Sequence, residues 1–500
     1  MSNFPWKFLN SSQALRMEKV CWPYFDPEFE NLTERIHGPS CQVCIDNESC
    51  EDCTVVKVDS VNKQGLLLQV VQALTDMNLH ISKSYISSDA GWFMDVFHVT
   101  DEHGSKLTDQ NVIDHIQQAI GSMKDSAGSS RSQVQNGAEA AEATAAGSDT
   151  STEHTAIELT GTDRPGLFSE ISAALTDLGC NVVEAHAWSH NERLACVALI
   201  SDESTDSRID DPGRLATIED HLSTVLAATT NSSGANEEQG VKTAGLPGGG
   251  DGATPTTTNV ERRLHQLMLA GRDFDGPPGN SSLSSSPYST EGEEEGKKTV
   301  VTIERCDEKG YSVVTVETRD RPKLMFDTVC TLTDMQYVIF HASISSHGDS
   351  AFQEYYIRHV DGYALNTESE KKRVIKCLEA AIERRVCEGV RLELCANNRV
   401  GLLSDITRVL REYGLAVVRA DVETQGEKAV NAFYVRDIYG NEVDMELVES
   451  LKREMESLAL EVKNETHRPG SPERPQNRLS FGDMLKSQLE RFSQNFIPIK

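Results

Sequence analysis

The apolar and polar positions of the chain follow one pattern that occurs four times. Each copy has an alternating apolar stretch, then a polar turn, then a segment with apolar residues three and four positions apart. In the fourth copy the apolar residues of that segment are Leu402, Leu403, Ile406, Val409 and Leu410. Alternation predicts a strand, and spacing of three and four predicts an amphipathic helix. The sequence therefore predicts four strand–turn–helix units.

The four copies align without gaps across the turn and the helix. The aligned stretches are VDSVNKQGLLLQVVQALTDMN from Val58, LTGTDRPGLFSEISAALTDLG from Leu159, VETRDRPKLMFDTVCTLTDMQ from Val316 and LCANNRVGLLSDITRVLREYG from Leu394. In each stretch, an acidic residue at the predicted end of the helix lies eleven positions after the glycine or lysine of the turn. A spacing kept in four copies indicates an internal repeat.

Two more predicted strands and a second helix follow in every copy. The order β-α-β-β-α predicts an α+β fold, a ferredoxin-like βαββαβ sandwich with two helices on one sheet face. A fourth strand is predicted from CQVCID in copy one, from TVVTIERC in copy three and from 458–463 in copy four. Copy two has no clear fourth strand of its own, and we expect a neighbouring copy to complete its sheet.

The predicted domain boundaries follow from the repeat and from composition. They are an N-terminal extension at 1–38, units at 39–121, 154–230, 299–386 and 387–464, linkers at 122–153 and 231–298, and a tail at 465–500. Both linkers are rich in small and polar residues, which cannot supply a core, and are predicted to be disordered.

Two short amphipathic helices are predicted outside the units. Apolar spacing in VERRLHQLM predicts one at 260–269, inside the second linker, and we expect it to dock on another part of the protein. The other lies in the tail, where the apolar residues are Phe481, Met484, Leu485, Leu489 and Phe492. We expect it to dock within the chain, with recruitment of a partner as the alternative.

The negative net charge limits the classes of partner that the sequence predicts. The chain has 48 basic and 78 acidic residues, a formal charge of −30, so it repels phosphate backbones and anionic lipid. We therefore expect no nucleic-acid or membrane partner. The basic runs 371–373 and 384–385 lie on an apparently helical stretch among acids, which predicts a solvated helix face.

Twelve cysteines, no apolar leader and no long apolar run predict reduced thiols in a cytoplasmic protein, with entry into the nucleus left open. Four of the cysteines form two Cys-x-x-Cys pairs, Cys41/Cys44 and Cys50/Cys53. Zinc is one hypothesis for them. However, only five residues separate the pairs, acidic neighbours disfavour thiolates, and the segment occupies the predicted fourth strand of copy one. We expect neither a metal nor a cofactor.

At this point the motifs resemble a known family. DRPGLF at 163–168 lies on a strand-to-helix turn, as in ACT domains, and four such turns in register with CWPYFDPEF and VERRLHQLM resemble the plant ACT-domain-repeat (ACR) proteins. The resemblance covers nearly all of the chain outside the linkers. It implies an allosteric, non-catalytic regulatory protein that binds free amino acids at interfaces between paired units and senses amino-acid status.

The turns have the groups that a zwitterion needs. The first turn of each helix offers N–H donors and the positive end of the helix dipole to a carboxylate, while a side-chain oxygen three residues before the glycine accepts from the ammonium. Glycine, having no Cβ, lets the ligand approach. The candidate ligand-binding residues are Asn62, Gly65, Leu66, Asp163, Gly166, Leu167, Asn398, Gly401 and Leu402.

Copy two matches the motif best, and copy three, with Lys323 in place of the glycine, is expected to be structural. The second strand of each unit faces the same interface in a paired arrangement, which adds four secondary candidates: His80, Asn181, His186 and Asp421. The same turn residues also serve strand-to-helix turns that bind nothing.

Three other functions stay open at this stage. The chain has no recognisable catalytic motif, so we expect no enzyme, although a transferase of unknown motif is one alternative. A second is a scaffold whose sheets bind each other and protein partners without any small molecule. The third is a zinc or redox switch at the paired cysteines. Exposed sheet edges favour pairing within the chain or a homo-oligomer, and the sensor would act on an unidentified regulatory protein.

Overall fold

The computed structural model of the protein describes residues 42–61, 65–89, 92–121, 154–228, 240–244, 257–276, 299–306, 310–386, 390–439, 443–457 and 461–465. The N-terminal extension, Cys41, Asn62 and the helix expected in the tail lie outside these ranges. Within them, the alternating and helical patterns form the α+β fold that the sequence predicts, four times.

Units 1 and 2 differ in the order of their elements, because the extra strand comes first in unit 1 and last in unit 2. Unit 1 contains β1 (Gln42–Asp46), β2 (Thr54–Val61), α1 (Leu66–Asp76), β3 (His80–Asp89), β4 (Trp92–Thr100) and α2 (Gln110–Gly121). Unit 2 contains β5 (Thr155–Thr162), α3 (Leu167–Asp177), β6 (Cys180–His190), β7 (Arg193–Asp202), α4 (Pro212–Ala227) and β8 (Gly240–Ala244). A linker helix, α5 (Thr257–Ala270), and a 3-10 turn at Asp273–Asp275 follow.

Unit 3 has the element order of unit 1, and unit 4 has that of unit 2. Unit 3 contains β9 (Val300–Cys306), β10 (Tyr311–Arg319), α6 (Leu324–Asp334), β11 (Tyr337–His347), β12 (Ser350–His359) and α7 (Glu368–Glu383). Unit 4 contains β13 (Val390–Asn397), α8 (Leu402–Glu412), β14 (Leu415–Gln425), β15 (Lys428–Asp437), α9 (Met445–Ser457) and β16 (Glu461–Glu465).

The units pair alternately along the chain. Units 1 and 3 share one antiparallel sheet, sheet I, in the order β1-β2-β4-β3-β11-β12-β10-β9, and units 2 and 4 share sheet II, in the order β16-β13-β15-β14-β6-β7-β5-β8. Both joins use the strand that follows the first helix of each unit. In sheet I, Tyr85 lies opposite Ser343, and in sheet II, His186 lies opposite Asp421.

The strand at the cysteine segment is confirmed, because β1 pairs with β2 and places Cys44 opposite Lys57. In unit 2 the fourth strand is β8, which pairs with β5 through Ala156–Ala244 and Thr160–Gly240. The expectation that a neighbouring copy completes this sheet was therefore wrong. The strand was missed because GVKTA lies within a Gly-rich segment that looks like linker throughout.

The helices of each pair of units cover one face of the sheet that the two units share. On the other face of sheet II lies the linker helix. In sheet II, the inward residues of β6 and β7 pack on the unit helices, while Trp188, Ala195 and Val197 point the other way and pack on Val260 and Leu264 of α5. On its far side α5 contacts α1 and α6, the helices of sheet I. The linker helix therefore joins the two paired halves.

The expectation of a solvated face for Arg384 and Arg385 was wrong. Arg384 is 3% exposed, and its guanidinium bonds both carboxylate oxygens of Asp273 at 2.6 Å. The Arg385 Nη2 lies 2.7 Å from an oxygen of Asp327. Both arginines follow the last turn of α7 and turn inward to the linker segment. Among the described helices, none is long and apolar enough to cross a membrane.

Candidate ligand-binding clefts at the unit interfaces

The turn before the first helix has the same backbone geometry in all four units. Gly65, Gly166, Lys323 and Gly401 each precede the helix in the left-handed region, with φ of 83°, 83°, 64° and 79°. Only glycine adopts this region without strain. The glycine is therefore required by the turn itself, whether or not a ligand approaches, and Lys323 accepts the strained conformation.

Cleft II lies between units 2 and 4. It has about 380 Å³ of space, part of it open to solvent. Unit 4 contributes Asn398, Gly401 and Leu402 from the turn, and unit 2 contributes Asn181 and other residues from α3 and β6. The remaining lining residues are Ser172, Thr176, Cys180, Val182, Arg399, Leu403, Val422, Thr424, Ala429 and Asn431. The structure thus brings three primary candidates and one secondary candidate together.

The polar side chains in the wall of cleft II are partly committed to their own helices. The Ser172 hydroxyl donates to Phe168 O at 3.0 Å, and the Thr176 hydroxyl donates to Ser172 O at 3.0 Å. Arg399 donates to Asp405 at 2.5 Å. Gly401, the residue before α8, has no side chain that could cap the first turn of this helix. A ligand here would meet a helix N-terminus, neutral amides and hydroxyls.

Cleft I is the corresponding space between units 1 and 3, about 320 Å³ and also partly open to solvent. The turn of unit 3 lines it with Asp320, Arg321 and Lys323, and unit 1 contributes His80. His80 Nε2 lies 3.3 Å from Asp320 Oδ2 across the cleft. Lys323 extends instead to Glu261 of the linker helix, with Nζ 3.0 Å from a carboxylate oxygen. The lysine therefore ties this turn to the linker.

The turn of unit 2, the best match in sequence, is packed against unit 4. A Cβ on Gly166 would lie 2.7 Å from Cδ of Arg411 in α8. The Ser189 hydroxyl donates to the Asp163 carboxylate, and burial raises the pKa of Asp163. Arg164 forms a bidentate pair with Glu170. Asp163, Gly166 and Leu167 therefore meet protein groups from their own unit and from α8.

In unit 1, a Cβ on Gly65 would meet nothing within 4 Å, and Leu66 is buried in the core of sheet I. Asn62, the candidate for the ammonium, lies outside the described residues. Among the described residues of this turn, Gly65 thus lies at an open helix start and Leu66 in the core.

His186 and Asp421 lie on the face of sheet II opposite the unit helices, away from the lining of cleft II. His186 Nδ1 is 2.9 Å from Asp421, and Nε2 is 3.0 Å from Glu184. Burial opposes protonation of His186, but hydrogen bonds to Asp421 and Glu184 outweigh it and raise the pKa to about 10. The pair is a charged clasp across the join between units 2 and 4.

The linker helix supplies a buried acid at the centre of the molecule. Glu261 accepts from Arg385 at 2.9 Å and from Lys323 at 3.0 Å, and Arg419 of unit 4 lies 3.9 Å away. Burial would raise the pKa of Glu261, yet Arg385, Lys323 and Arg419 lower it to about 2. Its charge therefore links units 3 and 4 through the linker.

A second buried acid, Asp327 on α6, lies beside the first. Both its oxygens receive bonds from Arg385, Arg321 adds another at 2.8 Å, and His265 Nε2 is 2.9 Å from Oδ1. Burial favours the neutral acid, but Arg385 and Arg321 hold the pKa of Asp327 well below its usual range. Sequence reasoning missed this network because its members look like ordinary helix-surface charges.

Near β1, the thiols of Cys50 and Cys53 lie 3.1 Å apart. The hydrogen bond from Cys53 lowers the pKa of Cys50, while burial and that same bond raise the pKa of Cys53 to about 11. Within the described ranges no group of three or more His, Cys, Asp or Glu side chains is arranged to hold a metal ion.

Comparison with known proteins supports the prediction that the repeated units resemble ACT domains. A family model for the ACR family N-terminal ACT domain matches residues 49–127, and an ACT domain model matches 153–227. The chain is 62% identical over 505 residues to the ACT domain-containing protein ACR2 of Arabidopsis thaliana, covering 97% of this chain and 100% of that protein. It is 51% identical to ACR3 from the same plant, covering 90% of this chain and 92% of that protein.

The units are therefore ACT domains. The chain belongs to the ACR family of ACT domain-containing proteins, as the four turns in register and the two flanking motifs predict.

Proposed function

We propose that the protein is a non-catalytic sensor that binds a free amino acid in cleft II and passes the occupancy of the cleft to a partner protein. The observation that carries this proposal is that Asn398 and Gly401 of unit 4 face Asn181 of unit 2 across one cleft. Two units must be in place for the cleft to exist, so a ligand that touches both favours their paired arrangement.

The residues suggest one pose. The α-carboxylate lies at the start of α8, near Gly401 and Leu402, where main-chain N–H groups and the helix dipole favour an anion. The side-chain oxygen of Asn398 accepts from the ammonium. Asn181 closes the cleft from the other unit. The cleft wall also contains the Cys180 thiol, whose pKa burial raises, and the Ser172 hydroxyl, which donates to its own helix, and this favours binding over chemistry.

The test is thermal unfolding of the full chain with each of the twenty amino acids. A ligand at 100 times its dissociation constant should stabilise the folded protein by about 2.7 kcal/mol. Asn398→Ala should abolish the shift. Asp163→Ala, at the equivalent turn of unit 2, should keep it, because Arg411 covers that turn.

A shift that Asp163→Ala removes and Asn398→Ala leaves would move the site to unit 2. If no amino acid shifts the unfolding of a correctly folded chain, the sensor proposal fails and an interaction scaffold becomes the better account.

A second candidate function is a thiol switch at β1, supported by the 3.1 Å approach of Cys50 and Cys53. The Cys50 thiolate would attack a small disulfide such as oxidised glutathione and release one thiolate. Cys53, on losing its proton, would then displace the second thiol and close the Cys50–Cys53 disulfide. Mass spectrometry after differential alkylation in a glutathione buffer tests this: loss of two hydrogens from the pair supports a switch, and two free thiols under oxidising buffer exclude it.

A further inference from the structure

The floor of cleft II is a buried amide. Asn431 on β15 is 1% exposed, and its Oδ1 has no hydrogen-bond partner among the described residues. An unpaired buried acceptor costs about 1–3 kcal/mol. Such groups are rare in folded proteins, and each calls for a specific reason.

The residues at the equivalent positions of the other units differ from Asn431 either in their hydrogen bonds or in their place. The residues opposite the start of each aligned stretch are Asp95, Cys196, Gln353 and Asn431. Gln353 lines cleft I, but its Oε1 accepts from the Tyr355 hydroxyl at 2.8 Å. Asp95 also has an oxygen, Oδ2, that is unpaired among the described residues, but it lines neither of the two clefts, and Cys196 is a weak donor and acceptor. Asn431 alone of the four combines an unpaired acceptor with a place in a described cleft.

The surroundings of Asn431 limit what its acceptor can receive. Val422, Ala429 and Leu402 provide an apolar setting, and no described residue that lines cleft II is acidic. A cationic side chain at this depth would lack a counter-charge and lose its hydration, which is costly. An uncharged donor avoids that cost and satisfies Asn431.

We propose that Asn431 is the specificity-determining residue of cleft II, and that it selects a free amino acid whose uncharged side chain donates a hydrogen bond, an amide or a hydroxyl. This inference rests on the proposed function, since it names the ligand class for the same cleft. The main-chain ends of the ligand lie at the start of α8, and its side chain points down to Asn431.

The experiment measures binding to the full chain by calorimetry with asparagine, glutamine, serine and threonine. Leucine, glutamate, alanine and valine serve, in that order, as the matched ligands of similar shape without a neutral donor. One or more of the first four should bind, at least tenfold more tightly than its match. Whether the amide or the hydroxyl members bind distinguishes the two donors.

The decisive variant is Asn431→Leu, with Gln353→Leu as its counterpart in cleft I. Asn431→Leu should weaken binding at least tenfold while the unliganded protein unfolds at the same or a higher temperature, because an unpaired polar group is removed. Gln353→Leu should keep binding and unfold at a lower temperature, because it leaves the Tyr355 hydroxyl without its acceptor. Asn431→Cys, which places in unit 4 the residue that unit 2 already has, is the second variant if leucine does not fold.

The outcomes separate the two claims. Equal binding of leucine and asparagine, or unchanged binding in Asn431→Leu, overturns the role of Asn431 and leaves cleft II as a binding site. If both Asn431→Leu and the smaller Asn431→Cys lower the unfolding temperature of the unliganded protein, the amide is paired and the inference is overturned. Absence of binding by all eight ligands overturns this ligand class, and a response to another amino acid in the thermal scan would still support the proposed function.

Discussion

The two paired halves of the molecule have the same fold and differ where the units meet. At the centre of the join, units 1 and 3 place Tyr85 opposite Ser343, with Tyr85 46% exposed. Units 2 and 4 place His186 opposite Asp421, bonded to each other on a face that the linker helix covers in unit 2. The same backbone pairing thus leaves an open surface in one half and a charged clasp in the other.

The two clefts also differ in the hydrogen-bond partners of their polar side chains. In cleft I, Gln353 accepts from the Tyr355 hydroxyl, His80 lies by Asp320 and Lys323 bonds the linker, while Nε of Arg321 is a buried donor without a partner in the described part of the chain. In cleft II the acceptor of Asn431 is unpaired. The comparison indicates that a duplicated unit can specialise without any change of fold. One copy of the turn anchors the linker, and another leaves room for a ligand.

The largest effect is expected from Asp327→Ala in unit 3. This variant removes the carboxylate that bonds Arg385, Arg321 and His265. Removing one member of a buried charged set leaves the others uncompensated, so the unfolding free energy should fall by about 3–5 kcal/mol. Urea unfolding measures the loss. Asp405→Ala, which breaks a more exposed pair with Arg399, should change it by less than about 1 kcal/mol. Similar losses in both variants would show that the buried network anchors nothing.

A smaller effect is a dependence of stability on pH that we expect from sheet II and not from the matching position of sheet I. The pKa of His186 is about 10 in the folded protein and 6.5 without its partners, so its stabilisation is complete below about pH 6.5 and is lost as pH rises through 10. Chemical unfolding between pH 6.5 and 10 should show stability falling by more than about 1 kcal/mol. His186→Gln should flatten that part of the profile. Tyr85→Phe, at the matching position of sheet I, should leave it unchanged, and an unaltered slope in the histidine variant would contradict the clasp.

The smallest effect concerns the turns. Gly65→Ala and Gly401→Ala each force a Cβ into a left-handed position, at a cost of about 1–2 kcal/mol to stability. Only Gly401→Ala places that carbon in cleft II, 3.4 Å from Thr176 of unit 2. Thermal unfolding should therefore show equal losses without ligand, and a reduced ligand response for Gly401→Ala alone. Equal ligand responses would place the ligand away from that turn.

Much of the fold follows from local sequence, because strand alternation, helical spacing and the turn are all decided within about twenty residues. The pairing of units does not, because β3, β6, β11 and β14 all offer similar edges, and the choice among them depends on distant side chains. The same limit explains the error at Arg384 and Arg385. Their partners Asp273 and Asp327 are 111 and 58 positions away, so the local context showed only charges on a helix.

For the candidate site, the turn motif led to Asn398, Gly401 and Leu402, which do line a cleft. It also favoured Asp163 and Gly166, because DRPGLF reads the same whether or not Arg411 of another unit lies on top of it. Asn431 left a signal that went unused: in AVNAFYV it is the polar residue among the inward positions of an alternating strand. Whether such an amide is paired depends on its three-dimensional neighbours.

The alternate pairing of units also has a consequence for synthesis on the ribosome. Strand β3 ends at Asp89, and its partner β11 begins only at Tyr337, after the whole of unit 2 and the linker helix. At about 5–20 residues per second, the nascent chain carries an open sheet edge for about 12 to 50 seconds before that partner exists. A fragment made of the first two units would keep two such edges permanently, so a gene cut between units 2 and 3 should yield a chain that aggregates.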